Sequence, residues 1–370
     1  MKTDAQEGRA GCFTRGPANA LRSIVRLTGA EGILWAKWTR SPMNRLGPAS
    51  GRYLPFGSCI HAPHFNPLPF PREGGYNTGV CLACPRGSVR PWEGEWNRCM
   101  TAETTTAMVP SDRPKVFVHL LPSLIPPESL RGGIAVVVDV LRATTVMVHA
   151  LAAGCEAVIP CSEVDEAKEI AARFPPGTAL LAGERGGLPI PGFDLGNSPG
   201  EFTLKVCRGK IVVMTTTNGT RAILASLEAE RVYIASFVNL RATCEELVVQ
   251  FLKKDHGHPV HIVCSGTEGF ISLEDSLLAG ALAKNVTNFA HDSIGNALFG
   301  NDEALIVLSQ WLEVEKYLEQ RPLWPLLGVG RGGQNLIRIG RSHDIVEAAY
   351  FDLFPLVAEL SRDPLRIVAV

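Results

Sequence analysis

The chain reads as an α/β protein: mainly parallel sheet flanked by helices, with site-forming loops at the strand C-terminal ends and a poorly structured N-terminal extension. Three observations carry this reading. From residue 115 onward, short β-branched runs alternate with helix-length segments, the pattern of βαβ units. Several of these runs are apolar throughout, as strands covered on both faces are. Four of them end in polar turns, DVLRATT, GERGG, TTTNGT and SGTEG. Ligands in an open α/β sheet sit beyond the carboxyl ends of the strands. The four turns are therefore expected together on one sheet edge.

Length and composition set the outer bounds. With 370 residues and 46% apolar content, the chain can build one large domain or two smaller ones plus an appendage. The domain is expected over residues 115–360, with room for a division near 235, and 361–370 is a tail or a last strand. Residues 1–107 are net basic and the remainder net acidic, although the whole carries a formal charge of only -1. An acidic body argues against nucleic-acid binding. No apolar run has the length of a membrane span, and the polar start MKTDAQEGRAG has no signal-peptide core. Cys155, Cys161, Cys207, Cys244 and Cys264 lie in or beside apolar runs and read as buried free thiols. Such cysteines suit a reducing, cytoplasmic setting. A homo-oligomer is compatible with all of this.

Residues 1–107 are a different kind of sequence. They are rich in Gly, Pro, Arg and Trp, and only Ala20–Trp38 hints at a helix. Cys81, Cys84 and Cys99 with His61 or His64 suggest a metal knuckle, but no second CxxC follows, and chance cysteines are the stronger reading. Met108 stands just before the first patterned strand, so a working chain could begin there.

The organised part follows in order. Lys115–Leu121 reads as a strand. Ile134–Val138 (IAVVV) is the organising strand and runs straight into Asp139; Met147–Ala153 is helical, with Gly154 as its C-cap. Ala157–Pro160 is a strand, Ser162 caps the next helix, and Thr178–Ala182 is a strand ending in GERGG. A long irregular loop holding Asp194, Asn197 and Ser198 comes next. Lys210–Met214 feeds TTTNGT and a helix. Arg231–Ser236 is a strand, and Asn239 caps a helix over Leu240–Leu252. Val260–Cys264 ends in SGTEG, and Ser272 opens a helix whose first turn holds Glu274 and Asp275, where acidic groups suit the dipole. Asn301–Lys316 is a long helix. Gly328–Gly333 is a glycine-rich loop able to close over an anion with Arg331, and Asp344 lies early in a short helix.

The turns offer carboxylates, arginines, hydroxyls and backbone N–H groups. A strongly anionic, phosphorylated small substrate fits them, and acidic groups beside it require a bridging Mg²⁺. Asp139, Glu274 and Asp275 are the expected metal ligands, with help from Glu184. Asp139, Arg142, Glu184 and Arg185 are the expected catalytic set. Thr144, Thr145, Asn197, Ser198, Thr215, Thr216, Thr217, Asn218, Gly219, Thr220, Ser265, Thr267, Arg331 and Asn335 are expected at the substrate, with the 215–220 turn supplying N–H groups ahead of a helix. Capped helices and ordinary turns explain several of these equally well. No Walker A loop is present. Cys161, Cys207 and Cys264 lack the Cys-x5-Arg loop of cysteine phosphatases, and Asp139 lacks the second Asp of aspartyl-nucleophile enzymes.

These pieces taken together resemble the 2-phosphosulfolactate phosphatase family. The matching segments are VVVDVLRATTVMVHALAAG (136–154), GERGGLPIPGFDLGNSP (183–199), TTTNGTRA (215–222), CSGTEGFISLEDSLLAG (264–280) and GRGGQNL (330–336), with Asp344, Asp352 and Pro355. The resemblance spans about residues 115–360 and leaves 1–107 outside. It implies an α/β fold with parallel sheets. It also implies Mg²⁺-dependent hydrolysis of (2R)-phospho-3-sulfolactate to (2R)-3-sulfolactate and phosphate, a step of coenzyme M biosynthesis. Two alternatives stand beside it: a phosphatase for another small phosphorylated hydroxy acid, differing only in the residues that meet the non-phosphate end, where a sulfonate needs a cationic pocket that Arg331 or Arg185 could supply, and a non-catalytic small-anion binding protein.

Overall fold

The computed structural model describes residues 115–251, 258–294 and 298–370. The expectations placed on residues 1–107 and on Met108 lie outside the described residues.

The first strand, β1 (Lys115–His119), and β2 (Ile134–Val138) carry the apolar runs anticipated from sequence. All five residues of β2 are buried, as in a central strand covered on both faces. The chain continues through α1 (Ala143–Ala152), β3 (Ala157–Cys161), α2 (Val164–Ala171), β4 (Ala179–Arg185) and the short β5 (Leu188–Pro189). Next come α3 (Leu204–Cys207), β6 (Ile211–Thr215), α4 (Gly219–Ala225), β7 (Arg231–Ala235), α5 (Leu240–Phe251) and β8 (Val260–Cys264). The remainder is α6 (Leu273–Ile294), β9 (Leu298–Phe299), α7 (Asp302–Leu318), α8 (Trp324–Val329), α9 (Arg331–Arg338), α10 (Ser342–Ala348), β10 (Ala358–Arg362) and β11 (Leu365–Ala369).

Caps explain several boundaries. The cap of α2 is Glu163 rather than Ser162, because the Glu166 carboxylate accepts the N–H groups of both residues. Asn239 does not cap α5 directly. It lies in the preceding 3₁₀ turn, where its Oδ1 accepts the N–H of Ser236. Asn301 caps α7 and also closes the edge of β1: its Oδ1 accepts from Val118 N, and its Nδ2 donates to Val118 O.

All eleven strands lie in one mixed sheet of order β5-β4-β6-β3-β11-β10-β7-β2-β8-β1-β9. Two parallel sets form it, β4-β6-β3 and β7-β2-β8-β1-β9. Between them sits the β10–β11 hairpin, antiparallel to both neighbours. Residues 365–370, expected as a tail or last strand, thus lie mid-sheet. The hairpin also reverses the sense of the ladder, so the two parallel sets run in opposite directions. This corrects the expectation of four turns on one shared edge. The turns meet instead because both sets close on a common core, in which Ala135, Val137 and Val263 pack with Val158, Leu180, Val212 and Met214. Accumulated twist over many strands permits that approach. A second core, under α5–α7, packs the other face of β1, β2, β7 and β8.

The five described cysteines are free and buried. Burial pushes the thiols of Cys155 and Cys161 up to about 12, so they are inert near neutrality. Among the described residues, no helix is long and apolar enough to cross a membrane.

Candidate active site

Asp139 leaves β2 into a turn built by its own neighbours. Its Oδ1 accepts the N–H of Ala143 at 3.1 Å, and its backbone N–H donates to Thr144 Oγ1 at 3.0 Å. The Thr144 hydroxyl donates back to Asp139 O, and that of Thr145 donates to Val140 O. Both threonines are fully buried. The hydroxyls of these two residues, expected at the substrate, are engaged within the fold, and that of Thr145 also reaches Ser236 Oγ at 3.2 Å.

Asp275 joins the turns after β2 and β8. Its Oδ1 accepts Val140 N at 2.9 Å, and its Oδ2 accepts Gly266 N at 3.0 Å and Ser272 Oγ at 2.8 Å. Glu274, beside it in the first turn of α6, is also buried, and its Oε2 has no hydrogen-bond partner. The three carboxylates feel one another. Burial first, then Asp275, pushes Glu274 up to about 8. Burial raises Asp275 to about 6 against the hydrogen bonds from Val140, Ser272 and Gly266. Asp139 is driven well above its ordinary value by burial and by Asp275, with smaller pushes from Glu184 and Glu274. Such crowding of buried acids is costly unless protons or a cation offset it.

Glu184 lies at the end of β4 and ties two turns together. Its Oε2 accepts Gly187 N at 2.7 Å, and its Oε1 accepts Thr217 N at 2.8 Å. Thr216 and Thr220 bond each other's hydroxyls and N–H groups. Within the 215–220 turn, expected to offer N–H groups to an anion, those of Thr216, Thr217 and Thr220 have partners within the chain, one of them the Glu184 carboxylate. Thr217 Oγ1 is buried without a partner, while Asn218 and Gly219 begin α4. Gly219 faces Asp139, and a Cβ there would come within 2.9 Å of Asp139 Oδ2. Arg185 is exposed and spans from Thr215 Oγ1 to Ser162 O.

Arg142 is almost wholly buried and engaged. Its Nη1 donates to Asp344 Oδ2 at 2.6 Å and to Ser198 Oγ at 3.3 Å, and its Nη2 donates to Gly187 O at 2.7 Å. Ser198 Oγ donates to the same Asp344 oxygen. Asp344, on α10, was not among the expected site residues. Its early-helix acid and its place in the resembling segments were the available signals; a partner 202 residues away leaves no spacing to read. Asn197, next to Ser198, has a buried, unpartnered Oδ1, and Ser265 has an unpartnered Oγ. Thr267 is buried in a tight turn closed by reciprocal backbone bonds with Phe270. The glycine-rich stretch 328–333 is not a loop: it ends α8 and starts α9. Arg331 stacks on Phe270 at 4.1 Å, half-exposed, and Asn335 is half-buried within α9.

Four of the unpartnered buried polar atoms, on Asn197, Thr217, Ser265 and Glu274, thus belong to the turns expected to form the site. Buried polar atoms are nearly always satisfied, so each of these four is a point at which water or a ligand would bind. Among the described residues, no three His, Cys, Asp or Glu side chains form a ready-made metal cage. A magnesium ion needs none, since it keeps waters and takes only one or two carboxylates plus substrate oxygens. Glu274 Oε2, unpartnered, and Asp139 Oδ2, beside Gly219, are carboxylate oxygens of the chemistry such an ion takes.

The family model of 2-phosphosulpholactate phosphatase matches residues 119–363, and with them every element described above from β2 to α10. The chain belongs to the 2-phosphosulpholactate phosphatase family. Its relatives within the family include a protein of Picosynechococcus sp. named probable 2-phosphosulfolactate phosphatase. It is 38% identical over 241 residues, which are 64% of this chain and 92% of that protein. Proteins of the same name from Symbiobacterium thermophilum and Caldanaerobacter subterraneus subsp. tengcongensis are 39% identical over 226 residues and 36% over 242. Those matches cover 61% and 65% of this chain and 90% and 92% of the relatives.

Proposed function

We propose that this chain is a Mg²⁺-dependent phosphatase that hydrolyses (2R)-phospho-3-sulfolactate to (2R)-3-sulfolactate and phosphate. The observation that carries the reading is the buried carboxylate group of Asp139, Glu274 and Asp275, ringed by turns whose polar atoms lack partners. Family membership supplies the substrate class.

Glu274 and Asp275 would hold the ion beside Asp139, and the ion would supply charge neutralisation between these acids and a doubly charged ester. Asp275 is fixed by three hydrogen bonds and aligns the turns after β2 and β8. Asp139 keeps one oxygen on Ala143 N and directs the other toward Gly219, where it can take a proton from an attacking water. Thr217 Oγ1, Asn218 and Ser265 Oγ offer hydrogen bonds to phosphate oxygens. Glu184 holds the Thr217 turn in register with Gly187. Arg142, held by Asp344, anchors the 197–198 turn through Ser198, whose neighbour Asn197 has a buried, unpartnered Oδ1. Arg185 and Arg331, both exposed, are the cations left for the sulfonate and carboxylate ends.

The test is phosphate release from phosphosulfolactate, phospholactate and phosphoglycerate, each with and without Mg²⁺. Release from phosphosulfolactate alone, only with the metal, is expected. Faster release from either other ester would reassign the substrate, and tight binding without turnover would make the protein a small-anion binder.

A further inference from the structure

The glycines of GRGGQNL have a neighbour that the sequence does not announce. Gly330 and Gly332 flank the buried Glu274 carboxylate at the start of α9. A Cβ on Gly332 would overlap Glu274 Oε1 and lie 3.0 Å from its Cδ; one on Gly330 would come within 2.7 Å of Oε2. Real Cβ atoms do not make such contacts with carboxylate oxygens, so a side chain at either position would oblige the buried Glu274 carboxylate to shift from its place. Both φ and helix propensity would otherwise allow other residues. Gly332 lies within a helix, where glycine is less favourable than alanine. The absence of a side chain at these positions is therefore explained by what fills the space.

We infer that Gly330 and Gly332 form a cradle for Glu274, so that the glycine motif acts as a positioning element for one of the proposed metal ligands instead of closing over the substrate itself. Two other features separate this pair from the rest of the motif. Gly333 is required for a different reason: its Cβ would strike Leu327 O and come within 2.7 Å of Gly328 Cα, where α8 and α9 touch. Gly328 has room, with only Ile337 Cδ1 at 3.9 Å. On the opposite side, Thr267 Oγ1 lies 3.5 Å from the Gly332 Cβ position, so the cradle also abuts the turn after β8. Helix α9 thereby sets the depth at which Glu274 reaches toward Asp275 and Asp139. The cradle rests on the metal reading above for its consequence, though not for its geometry.

A size-complementation cycle tests it. Gly332→Ala, Glu274→Asp and the double variant are compared with wild type by thermal melting and by calorimetric titration with Mg²⁺ alone, with Gly328→Ala as the control. Gly332→Ala is expected to lower Tm and to weaken Mg²⁺ binding by about tenfold or more, in the range of outer-shell changes at metal sites. Adding Glu274→Asp, which shortens the side chain by one methylene, should raise both quantities above those of Gly332→Ala alone. Gly328→Ala should match wild type. Strictly additive effects, or a Gly332→Ala protein that melts and binds Mg²⁺ like wild type, would overturn the cradle. If the wild-type protein takes up no Mg²⁺, the metal reading fails while the melting cycle still judges the cradle.

Discussion

At the scale of single residues, the proposed site rests on ionisable groups held buried and close together. Asp139→Asn removes one of three crowded acids and preserves shape. Turnover should fall about a hundred- to ten-thousandfold, the contribution of a positioned proton acceptor. Tm should hold or rise, because burial and neighbouring acids already oppose the Asp139 charge. Parallel assays of phosphate release and melting check both signs, and full turnover in the variant would remove Asp139 from the mechanism. Asp344→Asn has the opposite balance. It leaves the buried Arg142 guanidinium without its counter-charge, an effect of about 3–5 kcal/mol. For a domain of this size that corresponds to a Tm loss of about 10 °C, with turnover falling as Ser198 and Gly187 lose their common anchor. An unchanged Tm would mean that the Arg142–Asp344 pair does not hold α10 to the site.

At the scale of elements, apolar runs were readable because a buried strand has few alternatives: IAVVV and VHIVC appear with the expected ends. The exceptions share a physical cause. AELSR (358–362) alternates buried and partly exposed positions, so its local sequence resembles a surface hairpin, and its pairing with the distant β7 is not readable locally. The GRGG stretch resembles a loop because glycine is a poor helix former, yet tertiary contact with Glu274 overrides that preference. Within the site, residue types were legible and their orientations were not. Thr144 and Thr217 both carry hydroxyls after a strand, but one is bonded to Asp139 O and the other is unpartnered. The position of the hairpin has its own consequence. Ending the chain at Val357 would strip β3 and β7 of their shared partners and expose two interior edges. The expected product is aggregated, with little soluble protein in gel filtration. A soluble monomer with the wild-type circular dichroism spectrum would show that the two parallel sets hold together without the hairpin.

At the scale of the whole molecule, the two parallel sets face a common core, and His149 lies where that core meets the C-terminal segment. The imidazole on α1 packs edge-on against Phe354 with ring centroids 4.9 Å apart, and its Nε2 is unpartnered. Burial lowers its pKa to about 4. His261 on β8, beside His119, is likewise lowered to about 4, by burial and by its neighbour. In the unfolded chain each imidazole takes a proton as pH falls through about 6.5, whereas the folded chain refuses it until about 4. The unfolded state therefore binds more protons across that window, and stability declines as pH falls through it. Above about 6.5 these two groups contribute no slope. Carboxylates titrate in the same range, so the comparison that isolates the effect is wild type against His149→Leu. The variant should lose less stability on acidification, by about 5 °C in Tm between neutral pH and pH 4.5. Melting curves at half-unit pH steps would decide it: parallel pH profiles for the two proteins would place the proton uptake elsewhere and leave His149 a packing residue only.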